Sequence, residues 1–160
     1  PQQRSSAASD VYKRQIKLVE TTYEAMMKGI EKIKPGNTFG DIGNAIQVYA
    51  EKKNYSIVRD FCGHGLGKVF HDHPSVLHFG KPGEGDLLQE GMFFTVEPMI
   101  NIGDYKVKVL SDGWTAVTSD KSLSAQFEHT VGVTKTGYEI FTLSKKNFKF
   151  PPYTKNDSKI

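Results

Sequence analysis

The sequence is poor in cysteine, in long apolar runs and in net charge. Its one cysteine, Cys62, has no partner for an internal disulfide, which suits a reducing compartment such as the cytoplasm. No apolar stretch approaches the ~20 residues that cross a bilayer. Nor does the chain open on the basic, apolar, small-residue succession of a secretory signal. No membrane partner is expected. Net charge is only +3, which predicts no specific nucleic-acid partner. A weak attraction to RNA-rich surroundings such as a ribosome is the most that charge supports. The basic excess lies partly in Lys145, Lys146, Lys149, Lys155 and Lys159, among polar residues, so 144–160 reads as a solvated basic tail.

What is present fits one domain, since 160 residues can enclose a core. Residues 1–15 are small and polar without a period, and read as a disordered or foreign leader. From Ile16, apolar residues recur at Val19, Tyr23, Met26, Ile30 and Ile33, steps of three and four that predict an amphipathic helix ended by Lys34-Pro35-Gly36. Thr38 and Asp41 resemble a capping box, and a second helix follows with Ile42, Ala45, Ile46, Tyr49 and Ala50 on one face. The second half reads as strands at Tyr55–Val58, Met92–Ile100, Val107–Leu110, Trp114–Thr118, Gln126–Val133 and Tyr138–Phe141. Two helices on a mainly antiparallel sheet make an α+β domain over 16–143.

Chemistry concentrates in two places. His64, His71, His73 and His78, four of the five histidines, fall in the segment CGHGLGKVFHDHPSVLHFG. One cysteine excludes a zinc finger, no histidine pair brackets a glutamate as in H-E-x-x-H, and the glycines match neither a dinucleotide fingerprint nor a P-loop. Those glycines predict backbone passing close to a site. The second place is a pair of glutamates within apolar strands. Alternation puts Thr95 with Glu97, and Gln126 and Thr130 with Glu128. A carboxylate in an apolar strand is costly to bury unless it is paired or bound to metal. Imidazole and carboxylate together suit Mn, Fe, Co or Zn, and carboxylate-bridged ions hydrolyse amides or esters. The residues alone do not reach a substrate.

GHGLGKVFHDHPSVLHF, FFTVEPMI, DGWTAVT and SLSAQFEHT, in this order, resemble type I methionine aminopeptidases from about Ile16 to about Leu143. Met99 after Glu97-Pro98, and His129 after Glu128, separate the pattern from proline-specific relatives of the same fold. The resemblance implies part of a pita-bread fold and removal of the initiator methionine from nascent chains and peptides. It implies two divalent ions in a complete site, with water activated for attack on the first carbonyl. It gives His71, Glu97 and Glu128 as metal ligands, Glu97 also as proton carrier, His78 as a substrate contact that steadies the tetrahedral intermediate, and Trp114 as a wall of the methionine pocket. His64 shapes the site without being a family ligand, His73 lies near the surface and His129 is structural. The family also places two aspartate ligands on a hairpin before the first helix, and only Asp10 precedes Asp41 here. The chain is thus expected to be a fragment, inactive alone, behind a short leader. The alternative is a non-enzymatic binding or ribosome-associated remnant.

Overall fold

A computed structural model describes residues 2–144. Two helices come first, α1 over Gln2–Ile30 and α2 over Phe39–Lys52. Ten short strands follow: β1 Ser56–Ile57, β2 Gly63–Gly65, β3 Asp72–Val76, β4 Phe93–Val96, β5 Met99–Asn101, β6 Val107–Val109, β7 Ala116–Thr118, β8 Ser124–Gln126, β9 His129–Val133 and β10 Tyr138–Ile140.

The packed part of α1 buries Leu18, Ala25, Met26 and Ile30. Complete burial of a Leu, Met or Ile side chain contributes about 1.5–3 kcal/mol. The helix starts well before Ile16, which corrects the expectation that 1–15 has no regular structure. Asp10–Gln15 are helical and exposed all round, so no buried face imposes a period on them. Their turns extend a helix already nucleated by packing, and extension is the inexpensive step. α2 starts as expected. Thr38 accepts a hydrogen bond from the Asp41 N–H, and the Asp41 carboxylate accepts one from the Thr38 N–H at 2.7 Å. The basic tail from Lys145 onward lies outside the described residues.

Three antiparallel sheets result: β10-β9-β4-β2-β3, β1-β5-β8, and the β6-β7 hairpin. Phe94, Val96, Val131 and Val133 are buried with the helix residues in one core. Phe94 meets Phe39 of α2 edge-on, and Phe127 meets Tyr23 of α1 edge-on. The helices therefore cover one sheet face, and Thr95 and Glu97 turn to the other.

Two differences from the expected strands matter for function. The segments 92–100 and 126–133 are each broken in two, at Glu97-Pro98 and at Phe127-Glu128, and the halves belong to different sheets. Pro98 has no N–H for a ladder. β2 and β3 were not anticipated, because a Gly-His-Gly strand and a His-Pro-Ser edge strand lack the β-branched alternation that marks strands. Close packing explains the glycines. A Cβ on Gly63 would overlap the Thr95 carbonyl oxygen, and one on Gly65 the His73 carbonyl oxygen.

Candidate metal centre

The two strand breaks face each other. Val96 pairs with His129 on one side and Met99 with Gln126 on the other, so counting inward sets Glu97 opposite Glu128. Like charges at directly opposed positions repel. Burial holds the Glu97 carboxyl above the usual carboxylate range, and the Glu128 carboxylate pushes it the same way. The Thr95 hydroxyl, His64 and His71 pull it back down. A cation between the two carboxylates relieves both burdens.

Groups around Glu97 fix its position. The Thr95 hydroxyl donates to Glu97 Oε1 at 2.7 Å, and Gln126 Nε2 donates to Oε2 at 3.3 Å. Thr95 is buried at 1% exposure, so its hydroxyl cannot turn to water. It also accepts the His64 N–H at 2.9 Å, tying β2 to β4 at the site. His64 Nε2 lies 3.7 Å from Glu97 Oε1. His64, Glu97 and Glu128 each offer a ligand atom, and these atoms all lie within 4.8 Å of one another. The donor set of one imidazole and two carboxylates fits a divalent transition metal.

A cleft of about 400 Å³ opens on this group, lined by Phe61, Cys62, His64, His71, Asp72, His73, Glu97 and Met99 among others. His71, the imidazole given by the resemblance, is exposed on the irregular segment before β3, its ring 4.4 Å from that of His64 between centroids. It stands beside the converging group. His73 is exposed, as expected. His129 is partly buried, with its Nδ1 2.8 Å from Thr142 Oγ1 and its ring against Tyr23.

His78 and Trp114 are placed differently from the substrate contacts expected of them. His78 is 2% exposed and does not line the cleft. Its Nε2 accepts the Glu97 N–H at 3.0 Å. Burial pushes its pKa down to about 3, so the ring is neutral. The chain turns this ring beneath the strand break, where it partners an N–H that the ladder abandons. Trp114 is 89% exposed on the β6-β7 hairpin, in a neighbouring groove with Val109 and Gln126. That groove shares Phe61 and Met99 with the cleft. His64 and Thr95 are the groups whose importance the sequence understated. The signal was there in part, since alternation already set Thr95 on the face of Glu97.

Comparison with known proteins gives the family. Residues 3–135 match the model of metallopeptidase family M24. The methionine aminopeptidase of Rickettsia prowazekii is 64% identical over 146 residues, 90% of this chain and 56% of that protein. Its crystal structure superposes with a TM-score of 0.80, covering 81% of this chain and 53% of that one. The crystal structure of methionine aminopeptidase from Thermotoga maritima gives a TM-score of 0.76 at 44% identity, over 78% of this chain and 50% of that one. The chain spans about half the length of the curated relatives it matches. Its two helices and antiparallel sheets are part of the pita-bread fold. With a matched family model over most of its length and an imidazole–carboxylate group that suits a metal, the chain belongs to metallopeptidase family M24.

Proposed function

We propose that this chain supplies the glutamate and histidine part of a cytoplasmic metallo-aminopeptidase that removes the initiator methionine from nascent proteins and peptides. The observation that carries this reading is the opposition of Glu97 and Glu128 across two strand breaks, with His64 converging on both. The 64% identity to a methionine aminopeptidase supports the substrate class. The complete site takes two divalent ions, drawn from Co, Mn, Fe and Zn, with Glu97, Glu128 and His71 among the ligands. Such ions, when bound, lower the pKa of water and polarise the peptide carbonyl.

The protein's own groups do the rest. Glu97 takes the proton of the attacking water and passes it to the leaving amine. Thr95 and Gln126 hold its two oxygens in place. His78 is a positioning residue that holds the Glu97 backbone through Nε2. Trp114 forms a wall for the methionine side chain once its hairpin is packed. No nucleic acid or membrane enters the reaction, and contact with the ribosome is weak and electrostatic. No helix among the described residues is long and apolar enough to cross a membrane.

The test joins this chain to the portion of the Rickettsia prowazekii enzyme that it does not cover. With Mn(II) or Co(II) present, the chimera should cleave Met-Ala-Ser much faster than Ala-Pro-Ala. Faster turnover of the proline peptide would overturn the assignment of substrate.

A further inference from the structure

We propose that the groove between α1 and α2 docks an acidic peptide segment of a partner protein, one that carries apolar side chains among its carboxylates. The groove shares no lining residue with the metal cleft, so the proposal goes beyond the peptidase reading and does not depend on it. It encloses about 680 Å³. Its floor is one stripe of α2, where Ala45, Val48 and Tyr49 recur at helical spacing. From Asp41 to Lys52 this stripe runs about 16 Å at about 1.5 Å per residue. That length holds about five residues of extended peptide. Val48 is 56% exposed on the floor, while Ile42, Ile46 and Ala50 of the same helix fill the core. The floor and the rim are tied down. The Tyr49 hydroxyl donates to Glu24 Oε2 at 2.5 Å and so joins α2 to α1, and Lys53 Nζ lies 5.6 Å from the Tyr49 ring centre. Asn37 Nδ2 donates to the Lys32 carbonyl at 2.7 Å, fixing the turn that carries Lys34. A groove formed in advance loses little ordering entropy on binding.

Charge selects the occupant. Lys28, Lys32, Lys34 and Lys52 line the groove with Glu31 and Asp41. Lys28 pairs with Glu31 at 2.9 Å. The Asp41 carboxylate is committed to the Thr38 and Gly83 N–H groups. Lys32, Lys34 and Lys52 are exposed, and none reaches a carboxylate at ion-pair distance among the described residues. Lys28 and Lys52 stand in the last turns of their helices, where the dipole favours a cation. That explanation covers neither Lys32 and Lys34 nor the exposed Val48. RNA is the competing polyanion. A phosphate backbone gains from a uniformly basic track, and bases gain from open aromatic faces. Here Glu31 and Asp41 put negative charge inside the groove, and the Tyr49 ring is partly buried against the core. Single cations spaced around an apolar floor instead complement carboxylates that flank an apolar side chain.

The test titrates the 160-residue chain, labelled with a fluorophore at its amino terminus and kept submicromolar, with acetyl-Glu-Leu-Glu-Glu-Phe-Glu-amide. The same peptide with serine for leucine and phenylalanine, and an oligouridylate, are run beside it, and thermophoresis reads binding. The apolar-acidic peptide should bind saturably, and its serine analogue at least ~5-fold more weakly, the scale of losing an interface anchor. Val48→Asp should weaken the first peptide at least ~5-fold as well. Lys32→Glu combined with Lys34→Glu should weaken it ~10-fold or more. Circular dichroism checks that each variant keeps its helices, and Val48→Ser replaces Val48→Asp if the aspartate disturbs α2. Equal binding of the two peptides, or indifference to both Val48 changes, would reduce the groove to a charge effect and overturn the proposal. Oligouridylate binding that is tighter than the peptide's and is lost in the double lysine variant would reassign the groove to nucleic acid. Absence of peptide binding up to millimolar concentration would also overturn the proposal.

Discussion

At the residue scale, the opposed glutamates are a local conflict that a bound cation would relieve. Glu128→Gln removes one of two facing charges and lets Glu97 ionise more readily. In metal-free buffer this variant should melt slightly higher than the parent, by the equivalent of a few tenths to about 1 kcal/mol, the scale of a cross-strand charge pair. In Mn(II) the order should reverse, because only the parent gains from binding. Differential scanning calorimetry with and without metal reads both signs, and an unchanged order would argue against a shared cation. His78 illustrates the opposite case of a buried polar group fully used. His78→Ala leaves the Glu97 N–H unsatisfied and opens a cavity, and should cost about 2–4 kcal/mol in urea unfolding. A cost under 1 kcal/mol would mean that the Glu97 backbone has another partner. In the chimera the same change should lower turnover by about 10²-fold, through misplacement of Glu97.

At the element scale, α2 depends on a reciprocal cap. Thr38 is buried, and Thr38→Ala should destabilise the chain by about 1 kcal/mol. The Asp41 carboxyl is held below its usual range, first by the Thr38 N–H, with Gly83 N–H also donating to it. A carboxylate whose folded pKa is lowered contributes stability above its unfolded pKa of about 3.9 and loses it as pH falls through the lowered folded value. Urea midpoints followed from pH 6 downward should therefore drop more steeply below about pH 4 for the parent than for Asp41→Asn. Parallel curves would dissociate the cap from acid sensitivity. β2 depends on the absence of a side chain. Gly65→Ala sets a methyl against the His73 carbonyl, so β2 and β3 must separate and His64 must move.

At the scale of the whole molecule, the β6-β7 hairpin leaves large apolar side chains uncovered among the described residues. Trp114 at 89% exposure, Val109 and Leu110 form an apolar surface next to the groove beside the cleft. Such surface promotes association. The 160-residue chain should sediment as mixed oligomers above micromolar concentration and show no Met-Ala-Ser turnover, with Trp114→Ser shifting it toward monomer. A monomeric chain with turnover would show that these residues suffice for the site.

The capped second helix, the α+β class and the pairing of Thr95 with Glu97 were legible in the sequence, because helical period, capping chemistry and strand alternation are local properties. The glutamates were recognisable as costly, since a carboxylate in an apolar strand needs a partner wherever it lies. Tertiary structure decided what that partner is. Strand register alone sets Glu97 opposite Glu128, and register depends on pairing across about thirty residues of chain. The same pairing breaks both strands at the site, which alternation cannot predict. It also puts His64 in the converging group, His71 beside it and His78 beneath it. Four histidines in one segment announce metal chemistry, but which of them reaches the carboxylates depends on the fold of β2 and β3, two strands held by close backbone packing and not by any periodic side-chain pattern.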